Sequence, residues 1–486
     1  MSALEHPDIL KEKVQKEITL GRIVGPFKEP PLPFLRCSPV GLVPKKPDDP
    51  SDPLEKPKFR FIHDLSTFPK GKSVNCYVDK ADSTVQYTSF DEVVNALSKL
   101  GKGALMCRSD IRSAFRLLPC RVQDFKNLGF TVEGEFYVNK SMPMGAACSC
   151  ATFEKFATFL EWCVKDVARV DSFLSHYLDD YISYGPPGTN IAQYILDTFH
   201  AVCQELGIPV SPEKILNQTT CLIFLGLIID TILQEVRVPQ DKLIEVKDKI
   251  LDFISRSKVT LRELQSLIGS LNFLCRAVAP GRPFVRRLAF LTRNVTEPHF
   301  KVRLPAWAKA DLQLWLHFLE AYNGVTFFRD LDWVDNTELS LYTDSSNIGL
   351  GLYFNGKFAY STWPANTDKW LISTAFMEIF PIAICLLLWA EQLTNKKVLF
   401  YCDNKSTVQI INNLSSSCPQ IMKVVRCIVL TTLKYNVTLR SVHLPGKKNV
   451  LCDSLSRLQL QRFWENAPPS TDKQPTPIPP EVWEIC

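Results

Sequence analysis

A chain of 486 residues is too long for one ordinary core and suggests about three folded units. With 46% apolar and 22% charged residues it has the mix of a globular protein, which excludes a disordered or collagen-like polymer. The formal net charge of +5 points only weakly to a polyanionic partner, but its distribution says more. Val236 to Arg303 carries 14 Lys/Arg against 6 Asp/Glu, a surplus of +8 that suits a phosphate-tracking surface and suits a solvated helical face equally.

Met1 to Glu17 is charged and helical in pattern, with no secretory signal. Gly25 to Pro57 is rich in proline and charge and reads as an extended approach. A strand is expected at Lys58–Asp64, a helix at Phe90–Leu100, and a strand at Ala104–Asp110 that ends in a carboxylate. Phe130–Val138 reads as a hairpin turning at Glu133-Gly134, and Ala147–Val167 as a helix. Ser175–Tyr184 is a second hairpin with two aspartates at its tip; a helix at Ile191–Leu206 and a strand pair at Cys221–Asp230 follow. Pro239 to about Tyr322 is helical and basic. Leu339–Tyr360 then alternates like two or three strands, ahead of a helix (Ser373–Leu393), a strand (Val398–Asp403), a helix (Pro419–Lys434) and a strand (Val437–His443). That β-β-β-α-β-α-β order is an α/β domain of its own. The polar, Pro-rich tail from Ala467 is expected to be poorly ordered.

The strongest apolar run, Phe380 to Ala390, is too short to span a bilayer, so no membrane is expected. The 16 cysteines are scattered singly, without zinc-ligand spacing, as buried thiols are in a reducing compartment. The expectation is an intracellular protein, cytoplasmic or nuclear.

Two groups of carboxylates carry chemistry. Nucleotide addition holds a triphosphate and a 3′-hydroxyl in line through two divalent ions, and Mg²⁺ takes one or two carboxylates from rigid elements. Arg108-Ser-Asp-Ile-Arg-Ser-Ala-Phe-Arg116 supplies Asp110 at a strand end. Tyr177-Leu-Asp-Asp-Tyr-Ile182 supplies Asp179 and Asp180 at a hairpin tip between apolar residues. Ser141-Met-Pro-Met-Gly-Ala-Ala-Cys-Ser149 is a Pro/Gly turn entering a helix. An isolated Asp-Asp pair is usually a solvated turn; this one sits in core-like surroundings with its companions in order.

This ordered set resembles reverse transcriptases, over about Arg60 to Asp230, with a thumb-like region after it. The resemblance implies that Asp110 and Asp179 are the main metal ligands and Asp180 the third carboxylate. It implies that Phe115 excludes a ribose 2′-hydroxyl, that Arg60 grips the triphosphate, and that Met144 and Gly145 lie beneath the incoming nucleotide. Lys214 matches a lysine that protonates departing pyrophosphate, and Phe224-Leu-Gly226, with Leu225 and Gly226, resembles the primer grip. Read as residues alone, Arg60 is also a surface strand residue, Phe115 core and Lys214 a solvated helix end. Cys150 stands after Ser149 where the family often has proline.

Farther on, Asp344 lies in a strand, Glu378 on an apolar helix, Asp403 at a strand end and Asp453 in Val450-Leu-Cys-Asp-Ser-Leu-Ser-Arg457. A glutamate amid Phe376, Met377, Ile379 and Phe380 is costly to bury unless it meets a cation, in a metal site or a buried salt bridge. The Asp-Glu-Asp-Asp order on this frame resembles RNase H, which implies two Mg²⁺ ions and hydrolysis of the RNA strand of a hybrid. His443 matches a histidine that assists proton transfer or product release, and it also reads as a simple strand-end histidine.

Together these readings give an α+β multidomain chain: a right-hand polymerase of fingers, palm and thumb followed by an RNase H-like α/β domain. The expected divisions are 1–57 as the approach, 58–235 fingers and palm, 236–335 thumb and connection, 336–460 RNase H and 461–486 tail. The implied activity is RNA- and DNA-directed DNA synthesis with hybrid degradation. Its expected partners are an RNA template, a DNA primer, an RNA–DNA hybrid and deoxynucleoside triphosphates, with Mg²⁺ or Mn²⁺ as cofactor. Two other readings stay open: an RNase H whose polymerase half is only a nucleic-acid clamp, and a catalytically inactive, nucleic-acid-binding relic. Ser2–Pro7, Gly41-Leu-Val-Pro-Lys45, Asp110–Pro119, His443-Leu-Pro-Gly446 and Leu455-Ser-Arg457 resemble the DIRS/Ngaro retrotransposons, and a clipped gypsy-type polyprotein fits as well.

Overall fold

Proline excludes a helix from much of the N-terminal stretch, but it does not exclude edge strands, where a missing N–H faces away from the ladder. The computed structural model describes residues 5–45, 58–67, 71–321, 326–327, 333–364, 373–443 and 449–485. The chain divides into two units, Met1–Thr220 and Cys221–Cys486.

In the first unit, helix α1 (Pro7–Thr19) starts with proline at its N-terminus, where the lost N–H costs nothing. Leu10 and Val14, one turn apart, enter a core with Ile23, Leu42, Phe59, Phe130 and Tyr137. Strand β1 (Ile23–Phe27) lies at the edge of a sheet, and β2 (Val40–Pro44) pairs antiparallel with β3 (Phe59–His63). The expected extended approach is therefore packed structure as far as Lys45; residues 46–57 lie outside the described residues.

Helix α2 (Phe90–Leu100) is capped by Ser89, whose Oγ accepts from the Glu92 N–H. Strand β4 (Leu105–Asp110) follows, then the hairpin β5 (Gly129–Val132) and β6 (Glu135–Asn139). Its two turn residues, Glu133 and Gly134, both hold positive φ, the backbone of a tight hairpin turn. Helix α3 (Ser149–Ala168), the hairpin β7 (Leu174–Tyr177) and β8 (Asp180–Gly185), helix α4 (Ile191–Glu205) and strand β9 (Leu216–Thr219) complete the unit. The four-stranded sheet runs β7-β8-β4-β9. Helices α3 and α4 bury Phe153, Ala157, Leu160, Ile195 and Phe199 in the core that also takes Leu174 and Tyr181.

The second unit opens with the antiparallel strands β10 (Cys221–Phe224), β11 (Leu227–Asp230) and β12 (Glu235–Arg237). Four helices follow, α5 (Gln240–Ser255), α6 (Leu261–Leu274), α7 (Arg282–Phe290) and α8 (Ala306–Ala321). Helix α6 starts at a reciprocal Thr260–Glu263 capping box and buries Leu264, Leu267, Leu271 and Leu274 at helical spacing. An antiparallel sheet of β13 (Leu341–Ser345), β14 (Gly349–Phe354) and β15 (Lys357–Thr362) comes next. Helix α9 (Thr374–Trp389) leads to β16 (Lys397–Cys402), helix α10 (Lys405–Asn413), helix α11 (Pro419–Lys434) and β17 (Thr438–His443), which is parallel to β16. Helix α12 (Val450–Ser456) and helix α13 (Leu460–Asn466) follow.

With its terminal 3-10 turn α9 reaches Leu393, 20 residues at mean hydropathy 1.7. By length and composition it could cross a membrane, contrary to the estimate from its apolar run alone. It is nonetheless a core helix, with Ile379, Phe380, Ile382, Ala383 and Ile384 all buried.

The C-terminal tail is a second correction. Thr476 and Asp472 donate backbone N–H groups to the carbonyls of Phe358 and Gly356, Thr471 is buried against the Tyr353 hydroxyl, and Trp483 stacks on Phe380. Its prolines forbid helix, yet an extended chain still satisfies turn carbonyls at the edge of a sheet.

Candidate active sites

In the first unit the pairing register brings the three carboxylates together. Asp110, the last residue of β4, stands opposite Asp180, the first residue of β8. Asp179 is in the two-residue turn between Tyr177 and Asp180, and its carbonyl accepts from the Ile111 N–H at 3.0 Å. Leu178 holds φ at 54°, a strained value for a leucine that the surrounding sheet must impose.

Asp110 is 2% exposed. Its carboxylate accepts from Ser211 Oγ at 3.0 Å and from Lys214 Nζ at 2.6 Å. Burial raises its pKa, while Lys214 opposes the rise. Burial, then the neighbouring charge of Asp110, pushes Asp179 up to about 6. Asp180 is paired with Arg108 at 2.7 Å. The residues fit a hard cation: three converging carboxylates, two of them raised, with an ammonium already drawn onto one. Arg108 and Ser211 were not singled out in the sequence, since neither spacing nor residue type marks a neighbour recruited from another strand or loop.

The Pro143–Gly145 turn is locked to β3. The Met144 carbonyl accepts from the His63 N–H at 2.9 Å, and Asn75 bonds the Gly145 carbonyl and the Ala147 N–H. Gly145 has φ of 128°, and a Cβ there would lie 2.0 Å from the His63 carbonyl oxygen, so only glycine fits. Arg60 is exposed on the same β3 strand. Phe115, in a 3-10 turn after Ser113, is half-buried with its ring edge-on to Phe153 at 5.4 Å. Arg116, also outside the sequence reading, is buried and ties Glu17 of α1 to the Ser141 carbonyl.

Leu225 and Gly226 form the positive-φ turn between β10 and β11 in the second unit. There a Cβ on Gly226 would meet the Phe273 ring at 3.1 Å.

The second unit gathers the other four acids. Asp344, in β13 and 7% exposed, accepts from Ser456 Oγ of α12 at 2.7 Å. Glu378 of α9 accepts from Ser345 Oγ at 3.1 Å. Ligand atoms of Glu378, Cys402 and Asp403 lie within 4.8 Å of one another. Burial, then repulsion from Asp344 and Asp403, pushes Glu378 up to about 8; burial brings Asp344 to about 6. Among the described residues the groups acting on Glu378 are Asp344, Asp403 and Ser345, none of them cationic. A half-buried carboxylate repelled on two sides calls for an outside cation. Burial pushes the Cys402 thiol up to about 12, and a hard ion such as Mg²⁺ takes the carboxylate oxygens in preference to sulfur.

Asp453 is different. Although burial would raise it, Arg457 and Arg462, each at 2.8 Å, hold it below the usual range. Gly351 gives α12 its approach, since a Cβ there would lie 2.6 Å from the Cys452 carbonyl oxygen. His443 is exposed at the end of β17, in register with Cys402; residues 444–448 lie outside the described residues.

Residues 45–229 match the family model described as reverse transcriptase (RNA-dependent DNA polymerase). The chain is similar to the Transposon Tf2-3 and Tf2-7 polyproteins of Schizosaccharomyces pombe. Each is 22% identical over 379 residues, covering 74% of this chain and 26% of the polyprotein. The chain thus spans about a quarter of the length of these relatives. Among solved structures it resembles the foamy viral protease-reverse transcriptase in complex with ds DNA. The TM-score is 0.50 at 18% identity, over 89% of this chain and 69% of that one. The fold is that of a right-hand polymerase. Residues 45–229 thus resemble a reverse transcriptase domain, and similar sequence occurs in the Tf2 polyproteins.

Proposed function

We propose that this chain copies retrotransposon RNA into DNA and removes the RNA strand from the resulting hybrid. The observation that carries the reading is the register of β4 against β8, which sets Asp110 beside Asp180 with Asp179 in the adjoining turn. Two Mg²⁺ ions per centre, with Mn²⁺ able to substitute, would supply Lewis-acid activation of the attacking oxygen and neutralise charge on the phosphate.

The chain's own groups do the rest. Asp110 and Asp179 hold the ions, with Asp180 as the third carboxylate. Gly145 lets the nucleotide floor approach β3, from which Arg60 reaches the triphosphate. Phe115 closes the space a ribose 2′-hydroxyl would need. Lys214 Nζ, at 2.6 Å from Asp110, is a donor positioned to deliver a proton to departing pyrophosphate. Leu225 and Gly226 hold the primer end.

In the second centre Asp344, Glu378, Asp403 and Asp453 are the ligands for hydrolysis of the RNA strand. The parallel β16–β17 pair and the antiparallel β13–β15 sheet support an RNase H-like frame for it. His443 serves proton transfer beside it. The partners are an RNA template, a DNA primer, their hybrid and deoxynucleoside triphosphates, inside the cell. The motif stretches favour a DIRS/Ngaro element, while likeness to Tf2 polyproteins favours a gypsy-type one.

Primer extension on an RNA template with Mg²⁺, alongside hybrid cleavage, tests this. Wild type extends and cuts; a wild type that does neither refutes the enzymatic reading. An Asp179→Asn chain that still extends refutes the assignment of the first centre.

A further inference from the structure

Within the second unit, and apart from its own carboxylate cluster, α7, α8 and the stretch from Asn413 to Arg426 line an open cavity of about 1030 Å³. Asp403 precedes α10 and Asn413 ends it, and nine helical residues put about 13 Å of helix between that cluster and the cavity. Five cations line it, Arg286, Arg287, Arg293, Lys423 and Arg426, and no carboxylate does. Beneath them Asp311, fully buried, bonds Arg426 at 2.8 Å and pairs with Arg287 at 3.1 Å. That acid fixes two of the guanidiniums, Arg287 and Arg426, in place. Two aromatic faces accompany the cations: Arg293 lies over Phe290 at 4.1 Å, and Arg287 over Trp307 at 5.0 Å. Phe290 is 59% exposed.

We propose that this cavity is a binding site for single-stranded nucleic acid. A concentration of arginines in a cavity lined by no carboxylate selects a polyanion. The exposed Phe290 ring and the half-buried Trp307 beside those guanidiniums are stacking platforms, and only an unpaired strand has free base faces to lay on them, since duplex bases are stacked inside. The site holds a strand segment with phosphates on Arg286 and Arg293 and a base against Phe290 or Trp307. The polymerase reading supplies the reason a single strand is nearby; the cavity's charge and aromatic faces do not depend on it.

The test uses the full chain and a short single strand carrying 4-thiouridine. Irradiation crosslinks the strand to the peptide containing Phe290 or Trp307. The double variant Arg286→Glu, Arg293→Glu, both surface side chains, loses that crosslink and binds about 10-fold more weakly. Its slope of log affinity against log salt falls by about 1.4, the value for two phosphate contacts to a single strand. Phe290→Ala weakens binding by about 10-fold with the salt slope unchanged, as loss of stacking requires. Crosslinks confined to other peptides, or an unchanged salt slope in the double variant, overturn the proposal. Equal competition by a free nucleoside triphosphate or by a blunt duplex overturns the single-strand assignment. The crosslink persists in Asp179→Asn and Asp403→Asn chains, so failure of the catalytic reading and failure of this one are separable.

Discussion

The two carboxylate clusters meet the same electrostatic problem in opposite ways. In the first unit Asp110 and Asp180 have resident cations, Lys214 at 2.6 Å and Arg108 at 2.7 Å. In the second, Glu378 and Asp344 are held by serine hydroxyls, and the resident arginines are spent on Asp453. A cluster with its own counterions keeps its shape at any pH where they stay charged. An acid such as Glu378, half-buried and facing only other acids and a serine hydroxyl, must take up a proton or an external cation. The second site is therefore expected to be the more dependent on pH and metal.

The largest test separates the two centres outright. Asp179→Asn lowers single-turnover primer extension by about 10³-fold or more and leaves hybrid cleavage intact; Asp403→Asn does the reverse. Loss of both activities from either substitution would break the comparison.

Next in size is Gly145→Ala. Its Cβ would collide with the His63 carbonyl, which costs about 2–3 kcal/mol, seen as a lower denaturation midpoint of the first unit. An unchanged midpoint would mean that the turn is not locked to β3.

Phe115→Val sharpens the substrate side. Discrimination against ribonucleotides falls by roughly 50-fold in competing single-nucleotide incorporation, with deoxynucleotide incorporation little changed.

The smallest effect tests the cation-free cluster. Glu378, raised to about 8 in the folded state against an ordinary 4.5, binds its proton more tightly when folded. Its contribution to stability is full below about pH 4.5 and is lost as pH rises through about 8. With a discount for solvent screening the loss is on the order of 2 kcal/mol. Without divalent ions, Glu378→Gln flattens this decline in thermal melts. Mg²⁺ then stabilises wild type more at pH 8.5 than at pH 6, because ligation requires the deprotonated acids. Equal Mg²⁺ stabilisation at both pH values would count against a proton-loaded cluster.

Much of the frame was readable as pattern. Alternation located β4, β8 and the β13–β15 strands, and helical periodicity located α3, α4 and α11, because each buries one face against a single layer. The short helices α10 and α12 escaped, since seven to nine residues carry barely two turns of periodicity. The N-terminal strands and the tail escaped for another reason: proline and charge read as an unpacked approach at one end and a poorly ordered tail at the other, where the chain uses them on sheet edges and turn carbonyls.

The candidate acids were legible because a carboxylate flanked by Leu, Tyr and Ile, or by Phe, Met and Ile, is out of place without a task. Residue order alone determined that Asp110, Asp179 and Asp180, and later Asp344, Glu378, Asp403 and Asp453, were the residues to watch. Only tertiary structure decided which groups face them. Lys214 meets Asp110 across 104 positions and Ser456 meets Asp344 across 112. Five cations around one cavity come from two segments about 130 positions apart, Arg286 to Arg293 and Lys423 to Arg426. Such contacts are set by strand register and helix packing, which act between distant positions and leave no local period to read.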